Sequence, residues 1–359
     1  MTRHEIALMK LSEGIVIPAT PLVLDEKRGL DERGMALLMN YYMDAGAGGI
    51  ATAVHTTQFE IREEKYGLFE PVIKCVSEIV DKYEAKTGKV IVKICAACGK
   101  TEQAVREAAL AKKYGYDAVL LSPGNLHELT EDEMIDRTRA VAEVLPVIGF
   151  YLQPLAGGRI FSYNYWERLC EIDNVVAIKC APFNRYYTLD VVRAAALSSR
   201  SDKITLYTGN DDNIVLDLIS KYKFKKDGVV YEKSFEGGLL GHWVVWTKKV
   251  CEMFEKIKEA KRGGAVSYDI LSLANDVTAI NAIFFDAAHG LENGTIALHE
   301  VLRRQGLMKH IHMLDDKIFL RDDQVLEIDR AWQMYSELCD DEFIAANLNK
   351  WKREAGIKE

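Results

Sequence analysis

A lysine that closes an apolar run in the middle of this chain is the residue best suited to covalent chemistry. Lys179 follows the run Val-Val-Ala-Ile at 175–178, which is typical of a buried strand. Burial disfavours an ammonium group, so we expect the pKa of this lysine to fall and a neutral, nucleophilic amine to become available for Schiff-base formation. On position alone, a lysine whose ammonium reaches water is the simpler interpretation.

Other chemically capable residues stand at the ends of further predicted strands. Tyr151 ends the sequence Gly-Phe-Tyr at 149–151, 28 residues before Lys179. Two more groups directly follow predicted strands: His55, Thr56 and Thr57 in one case, and Gly209, Asn210 and Asp211 in the other. The carboxyl ends of parallel strands meet at one face of a barrel, so this placement predicts a single site.

Composition excludes several classes of function. The chain has 359 residues, of which 48% are hydrophobic and 28% are charged, and α/β barrels of this length commonly form one domain. Its net charge of −8 argues against a nucleic-acid partner, because such proteins usually display a basic patch. Seven scattered cysteines and an N-terminus without an apolar signal region predict a cytoplasmic protein. No apolar stretch approaches the roughly 20 residues that span a bilayer.

Short apolar runs alternate with amphipathic stretches along the first two thirds of the chain, which is typical of βα units and a parallel sheet. A capping box at Thr130 and Glu133 marks the start of one intervening helix. An open doubly wound sheet fits the same alternation, but no glycine-rich dinucleotide fingerprint follows the first strand. The count of eight strands therefore predicts a (β/α)8 TIM barrel. The predicted strands are 15–18, 49–54, 90–94, 118–121, 147–151, 175–179, 204–208 and 237–241.

The same pattern predicts the domain organisation. Residues 1–12 form an N-terminal arm, 13–245 the barrel, and 246–359 a helical C-terminal extension. A β-hairpin at about 222–235, turning at Asp227-Gly228, is predicted as an insertion before the last strand.

Five sequence segments together resemble the dihydrodipicolinate synthase/N-acetylneuraminate lyase family. They are Gly-Ile-Val-Ile-Pro-Ala-Thr-Pro at 14–21, Ala-Gly-Ala-Gly-Gly-Ile at 45–50, Thr-Thr at 56–57, Gly-Phe-Tyr at 149–151 and Val-Ala-Ile-Lys at 176–179. The similarity runs in order from about residue 13 to 340. It implies a Schiff-base aldolase or lyase on an eight-stranded barrel with a helical extension, assembled as a homo-oligomer, either a dimer or a tetramer.

The resemblance also implies a role for each candidate residue. Lys179 condenses with pyruvate or another 2-oxo acid, and Tyr151 moves protons beside it, helped by Thr56 as a relay. Thr57 holds the carboxylate of the 2-oxo acid and Gly209 lines the pocket. His55 and Asn210 complete the predicted substrate-binding set. No metal and no organic cofactor is needed, and the expected partner is a small 2-oxo acid rather than nucleic acid or membrane.

Three departures from the family pattern predict a divergent member rather than a lysine-pathway enzyme. The sequence at 55–60 lacks both glycines of the family's Gly-Thr-Thr-Gly-Glu motif, and 122–125 lacks its tyrosine pair. Ala156 stands where the family's arginine grips a second carboxylate; Arg159 is nearby but out of register. A dehydratase of 2-keto-3-deoxy sugar acids and a barrel that binds a 2-oxo acid without catalysis stay open as alternatives.

Two further patterns are interpreted without a function. Cys95 and Cys98 have the spacing of a redox or zinc pair, but no second pair accompanies them, so they indicate strand packing and a loop thiol. His310 and His312 lie near acidic residues in a stretch predicted to be a solvated loop.

Overall fold

The computed structural model describes residues 1–291 and 293–358. Its buried strands lie on apolar runs of the sequence, whereas Lys221–Lys226 and the first half of Val229–Leu240 are exposed or half-buried. They are β1 (Val16–Pro18), β2 (Gly49–Thr52), β3 (Val92–Ala97), β4 (Ala118–Leu121), β5 (Val147–Leu152), β6 (Val175–Ala181), β7 (Thr205–Thr208), β8 (Lys221–Lys226) and β9 (Val229–Leu240).

Helices separate the strands and fill the C-terminal third. The predicted capping box is present: Glu133 N–H donates to the Thr130 hydroxyl, and the Thr130 backbone N–H donates to the Glu133 carboxylate. The helices are α1 (Arg3–Glu13), α2 (Glu32–Ala45), α3 (Phe69–Thr87), α4 (Thr101–Lys113), α5 (Glu131–Ala142), α6 (Tyr163–Cys170), α7 (Arg185–Leu197), α8 (Ile214–Ile219), α9 (Thr247–Gly263), α10 (Tyr268–Phe284), α11 (Gly294–Arg304), α12 (Asp322–Met334) and α13 (Asp341–Glu354).

The order of hydrogen-bonded strands confirms the predicted fold class. Neighbours follow the order β1-β9-β7-β6-β5-β4-β3-β2, and a parallel bridge between Ala19 and Ala51 joins the segments that follow β1 and β2. Eight parallel strands with intervening helices form a (β/α)8 TIM barrel, followed by C-terminal helices.

A hairpin lies where the sequence pattern predicts one, but it is not separate from the last barrel strand. β8 pairs antiparallel with the first half of β9, from Lys221 opposite Ser234 to Lys226 opposite Val229. The second half of β9 pairs in parallel with β7, up to Thr208 opposite Gly238. The hairpin is therefore the outer end of the eighth barrel strand, because β9 continues from one pairing into the other without a break.

The chain divides into two compact units. The first consists of Met1–Ile15, Val92–Leu239 and Ile257–Ala274, and the second of Val16–Ile91, Leu240–Lys256 and the chain from Asn275 onwards. The predicted boundaries at 12 and 245 remain predictions. No helix among the described residues is both long and apolar enough to cross a membrane.

Candidate active site

Lys179 lies near the carboxyl end of β6, between β5 and β7. The register pairs it with Phe150 on β5 and with Tyr207 on β7. Because paired residues of parallel strands project to the same face, Lys179 shares a face with Phe150. The Lys179 Nζ lies 4.4 Å from the centre of the Phe150 ring, within range of a cation–π contact.

Gly209 directly follows β7 and lies against the Lys179 stem. A Cβ atom at Gly209 would come within 2.6 Å of Lys179 Cε and 2.9 Å of Ala181 Cβ, so a side chain there would displace its neighbours. Its backbone N–H donates to the Cys180 carbonyl at 2.8 Å, which fixes the end of β7 to β6. Gly209 thus lies beside Lys179, while its role in lining a substrate pocket remains a prediction.

The surroundings of Lys179 favour its neutral form. Burial lowers the pKa of the Lys179 ammonium, and the nearby Asp211 carboxylate opposes that shift. The side chain is only partly exposed. A crowded amine that still has a route to solvent is the arrangement that imine formation with a small ketone requires.

Tyr151 lies on the opposite face of the sheet from Lys179. Its register partner is Cys180, and its ring centre lies 4.8 Å from that of Trp166 on α6 and 6.2 Å from that of Tyr187 on α7. A Cβ at Gly149, which projects to the same side, would touch Leu169 of α6. Tyr151 therefore faces the helices that cover the sheet.

This orientation bears on the predicted role of Tyr151 beside Lys179, which remains a prediction. In the described part of the chain the buried Tyr151 hydroxyl has no hydrogen-bond partner, so it is not bonded to the Lys179 amine. Burial raises the pKa of this phenol, and the nearby backbone of Phe161 partly opposes the rise. The residue on the Lys179 face at this height of β5 is Phe150, which has no hydroxyl.

Tyr151 and Lys179 lie on opposite faces because β6 contains one extra residue relative to β5. Val147 pairs with Val175, 28 positions later, but Ile148 pairs with Ala177, 29 positions later. Val176 forms the irregularity between them. After Val176, a residue on β5 and a residue on β6 that are 28 positions apart in the sequence therefore project to opposite faces of the sheet.

The candidates after β2 lie in the second unit. His55, Thr56 and Thr57 form a short helical turn in which both threonines are buried and His55 is exposed. The Thr56 hydroxyl donates to the Ala19 carbonyl, and the Thr57 hydroxyl donates to the Thr20 carbonyl at 2.6 Å. The two hydroxyls thus bind the backbone after β1, and the predicted roles of these three residues toward substrate remain predictions.

Asn210 is fully buried and occupied by internal hydrogen bonds. Its Nδ2 donates to Asp217 at 2.9 Å and to Thr188 at 3.3 Å, and its Oδ1 accepts the Phe183 N–H at 3.1 Å. Asp217 in turn accepts the Thr208 hydroxyl at 2.7 Å. The geometry indicates that Asn210 shapes the loop after β7, while contact with a substrate remains a prediction.

Asp211 is a neighbour of Lys179 to which sequence reasoning gave no role. Its Oδ1 is buried and has no hydrogen-bond partner among residues 1–291 and 293–358. Burial raises the pKa of the Asp211 carboxyl. The Lys179 ammonium opposes this rise, and the Asp212 carboxylate adds to it. The signal in the sequence was an acidic residue three positions after β7, next to two residues already singled out.

The remaining cysteine and histidine patterns lie in a buried strand and in a stacked pair of rings. All seven cysteines are free, and Cys95 is buried within β3. The His310 and His312 rings stack with their centres 5.0 Å apart. Within the described ranges, no group of three or more His, Cys, Asp or Glu side chains is arranged to hold a metal ion.

Comparison with known proteins finds one family. Residues 11–223, more than half of the chain, match the model of the dihydrodipicolinate synthetase family. The 4-hydroxy-tetrahydrodipicolinate synthase of Oceanobacillus iheyensis is 26% identical over 225 residues, which cover 62% of this chain and 70% of that relative. The N-acetylneuraminate lyase of Escherichia coli is 24% identical over 208 residues, which cover 57% of this chain and 65% of that relative.

Solved structures share the fold. The chloride-inhibited dihydrodipicolinate synthase of Acinetobacter baumannii, crystallised with pyruvate, superposes with a TM-score of 0.71 at 20% identity. The superposition covers 89% of this chain and 98% of that one. At this identity the likeness establishes the barrel and its C-terminal helices.

Proposed function

Because this chain belongs to the dihydrodipicolinate synthetase family, we propose that it is a lyase or aldolase that forms a Schiff base between Lys179 and pyruvate or a related 2-oxo acid. The observation that carries the proposal is the position of Lys179: an amine with a lowered pKa at the carboxyl end of a barrel strand, where barrel enzymes have their active sites.

The chemistry follows from the environment of the amine. Neutral Lys179 attacks the ketone carbon of the 2-oxo acid to form a carbinolamine. Protonation of the carbinolamine hydroxyl and loss of water then give a protonated imine. That cation draws electrons from the adjacent carbon, so an adjacent C–H or C–C bond can break. Gly209 leaves room for the lysine stem, and the Phe150 ring provides a surface that favours a cation at the nitrogen.

Tyr151 is not part of this proposal, because its ring packs against Trp166 and its register partner is Cys180 rather than Lys179. Thr57 stays a candidate for the carboxylate of the substrate, as the family resemblance implies, although its backbone N–H donates to the Val54 carbonyl at 3.0 Å in the structure.

Borohydride trapping tests the proposal directly. Incubation with pyruvate and borohydride should add mass irreversibly to one lysine, and peptide mapping should identify Lys179. The variant Lys179→Ala should lose the adduct. Lys233→Ala is the matched control, since burial also lowers the pKa of Lys233. If wild type gives no adduct with any small 2-oxo acid, the proposal fails.

The same imine serves both carbon–carbon cleavage and dehydration of a 2-keto-3-deoxy sugar acid. The two reactions differ in what leaves: an aldehyde in the first, water in the second. Product analysis by NMR with a panel of 2-oxo acids distinguishes them.

One observation favours a second candidate function, a barrel that binds a 2-oxo acid without turnover. The residue paired with Lys179 on β5 is Phe150, and the phenol that the family resemblance implies starts from the opposite face of the sheet. A trapped adduct combined with no product from any member of the substrate panel would support this alternative.

A further inference from the structure

The side chains that share the Lys179 face at the carboxyl ends of β5 and β6 are apolar. Phe150 pairs with Lys179 in the register between the two strands. Leu152 pairs with Ala181, two positions further along, so both pairs project to the same face. Phe150 and Leu152 keep 9% and 6% of their surface exposed, whereas Ile148, further from the carboxyl end, keeps 1%. Phe150, Leu152 and Ala181 therefore form an apolar wall at the open ends of the strands.

The apolar wall lies within reach of a substrate bound to Lys179. The Lys179 Nζ is 4.4 Å from the centre of the Phe150 ring. In an imine between Lys179 and a 2-oxo acid, four covalent bonds separate the nitrogen from the first carbon beyond C4, a span of at most about 5 Å. A carbon chain attached at C4 can therefore contact the Phe150 ring while C2 is bonded to the lysine.

The arginine in the loop after β5 is bound away from the apolar wall. Arg159 donates from Nη1 to the Leu129 carbonyl, and its guanidinium carbon lies 5.4 Å from the centre of the Phe161 ring. Ala156, where the family pattern has an arginine for a second carboxylate, carries no charge. Asp211 follows β7, which lies on the other side of β6 from β5. The charged groups of these two loops therefore do not interrupt the wall, and a second carboxylate on the substrate gains no counter-charge there.

Leu152 is held in place by the loops after β4 and β5. A Cβ atom at Gly124 would lie 3.3 Å from Leu152 Cδ2, and a Cβ at Gly158 would come within 1.9 Å of the Leu152 carbonyl oxygen. The Asn125 N–H donates to the Gly157 carbonyl at 2.9 Å, which joins the two loops. A fixed apolar wall favours methyl groups over hydroxyl groups, because a hydroxyl buried there without a hydrogen-bond partner costs free energy.

We propose that the substrates are 4-hydroxy-2-oxo acids with an apolar chain beyond C4, which lies against the apolar wall, an inference that rests on the proposed Schiff-base function. In the cleavage direction the C3–C4 bond breaks, its electron pair forms the C2=C3 bond of an enamine, and the C=N pair returns to nitrogen. The C4 hydroxyl loses its proton, and the O–H pair forms the carbonyl of an apolar aldehyde. C3 then gains a proton, and water releases pyruvate from Lys179. Condensation of pyruvate with an apolar aldehyde is the reverse reaction.

Condensation of pyruvate with aldehydes of similar shape tests this inference. Isobutyraldehyde and lactaldehyde differ by one methyl group in place of a hydroxyl group, and succinic semialdehyde carries a carboxylate. Products are quantified by NMR and kcat/KM is measured for each aldehyde, with borohydride trapping of pyruvate in parallel. The variants are Leu152→Asn, Leu152→Met and the matched control Leu155→Asn, since Leu155 is 76% exposed in the loop after β5. Melting temperatures verify that each variant is folded.

We expect wild type to prefer isobutyraldehyde to lactaldehyde by about a hundredfold in kcat/KM, the usual discrimination of an apolar pocket between a methyl and a hydroxyl group. Succinic semialdehyde should be a poorer substrate than isobutyraldehyde. Leu155→Asn and Leu152→Met should keep the wild-type ratio. Leu152→Asn should reduce it to about tenfold or less, because its amide offers the hydroxyl group a hydrogen-bond partner. The amount of trapped pyruvate adduct should be the same in all four proteins.

Several results would overturn the inference. Equal kcat/KM values for isobutyraldehyde and lactaldehyde, or a preference for lactaldehyde or succinic semialdehyde, remove the apolar substrate class and leave the Schiff base intact. A trapped pyruvate adduct without product from any aldehyde does the same. A wild-type ratio in folded Leu152→Asn shows that the substrate chain does not lie against the apolar wall. Absence of any adduct in wild type removes the Schiff-base function and this inference together.

Discussion

Lys179 differs from an ordinary lysine at the end of a strand in what surrounds its amine. An aromatic ring lies 4.4 Å from the nitrogen, a glycine lies against its stem, and a buried carboxyl interacts with it electrostatically. The ring and the carboxylate favour the ammonium, whereas burial favours the neutral amine, and burial is the larger effect. The balance can be shifted by substitutions at individual residues.

Gly209→Ala should displace the Lys179 side chain without unfolding the barrel. The added methyl group would lie 2.6 Å from Lys179 Cε and 2.9 Å from Ala181 Cβ, distances that force movement. The rate of borohydride-trapped adduct formation with pyruvate should fall at least about tenfold, because a small displacement of a reacting group has a large kinetic cost. Gly263→Ala is the control, since nothing lies within 4 Å of a Cβ there. Equal trapping rates in both variants would contradict the expected contact.

The pH dependence of adduct formation should report the pKa of Lys179. Only the neutral amine attacks, so the initial rate rises as pH passes through that pKa, which burial places below the ordinary lysine value. The Asp211 carboxylate raises the pKa of Lys179, so Asp211→Asn removes this effect and the midpoint of the rise should move to lower pH. Intact-mass analysis of trapped samples across a pH series measures the midpoint. A shift to higher pH would show that Asp211 does not stabilise the ammonium.

At the scale of elements, strand positions follow from the sequence but strand register does not. The apolar runs at 118–121 and 175–179 fall on β4 and β6, because β-branched residues and burial decide where strands form. Nothing in the sequence distinguishes Val176 as an extra residue, yet the register between β5 and β6 is shifted by one position after it. A shift of one residue changes the face of a side chain, so the spacing between Tyr151 and Lys179 in the sequence does not by itself place them on one face.

The N-terminus of α7 depends on one side chain that the sequence pattern did not single out. Asn184 Oδ1 accepts the backbone N–H groups of Tyr186 at 2.9 Å and Tyr187 at 3.2 Å. Asn184→Ala should therefore lower the free energy of unfolding by about 1 kcal/mol, the usual value of such a cap. Urea unfolding measures the loss, and Asn184→Asp, which keeps an acceptor at the same place, should restore most of it. Equal losses in the two variants would mean that the cap is not what stabilises this end of the helix.

At the scale of the whole molecule, the barrel was easier to predict than the C-terminal third. A repeated βα pattern identifies eight strands because each repeat reinforces the others. The helices beyond β9 have no such repeat, so the bounds of α10, from Tyr268 to Phe284, do not follow from the pattern. The structure of a single chain does not show how chains assemble, so the homo-oligomer implied by the family resemblance stays a prediction.

The second unit contains a carboxylate whose ionisation should couple folding to pH. Asp44 on α2 accepts the Lys350 ammonium at 2.6 Å and the Trp351 indole N–H at 2.8 Å from α13, and the Tyr83 hydroxyl at 3.1 Å from α3. Burial alone would raise the pKa of Asp44, but these hydrogen bonds outweigh it and the pKa lies below the ordinary aspartate value. The charged form is therefore the one that holds the three helices together.

Asp44→Asn should lower the free energy of unfolding at pH 7 by about 1–3 kcal/mol, the range for hydrogen bonds to a charged group. Because the folded pKa of Asp44 is depressed, its stabilisation is complete above the unfolded value of about 3.9 and is lost as pH falls through the lower folded value. The difference between wild type and Asp44→Asn should thus be constant from pH 7 to about pH 5 and shrink below about pH 4. Urea unfolding across this series measures it, with the exposed Asp136→Asn as control. A difference that persists unchanged at pH 3 would show that packing, rather than the charge of Asp44, stabilises this part of the second unit.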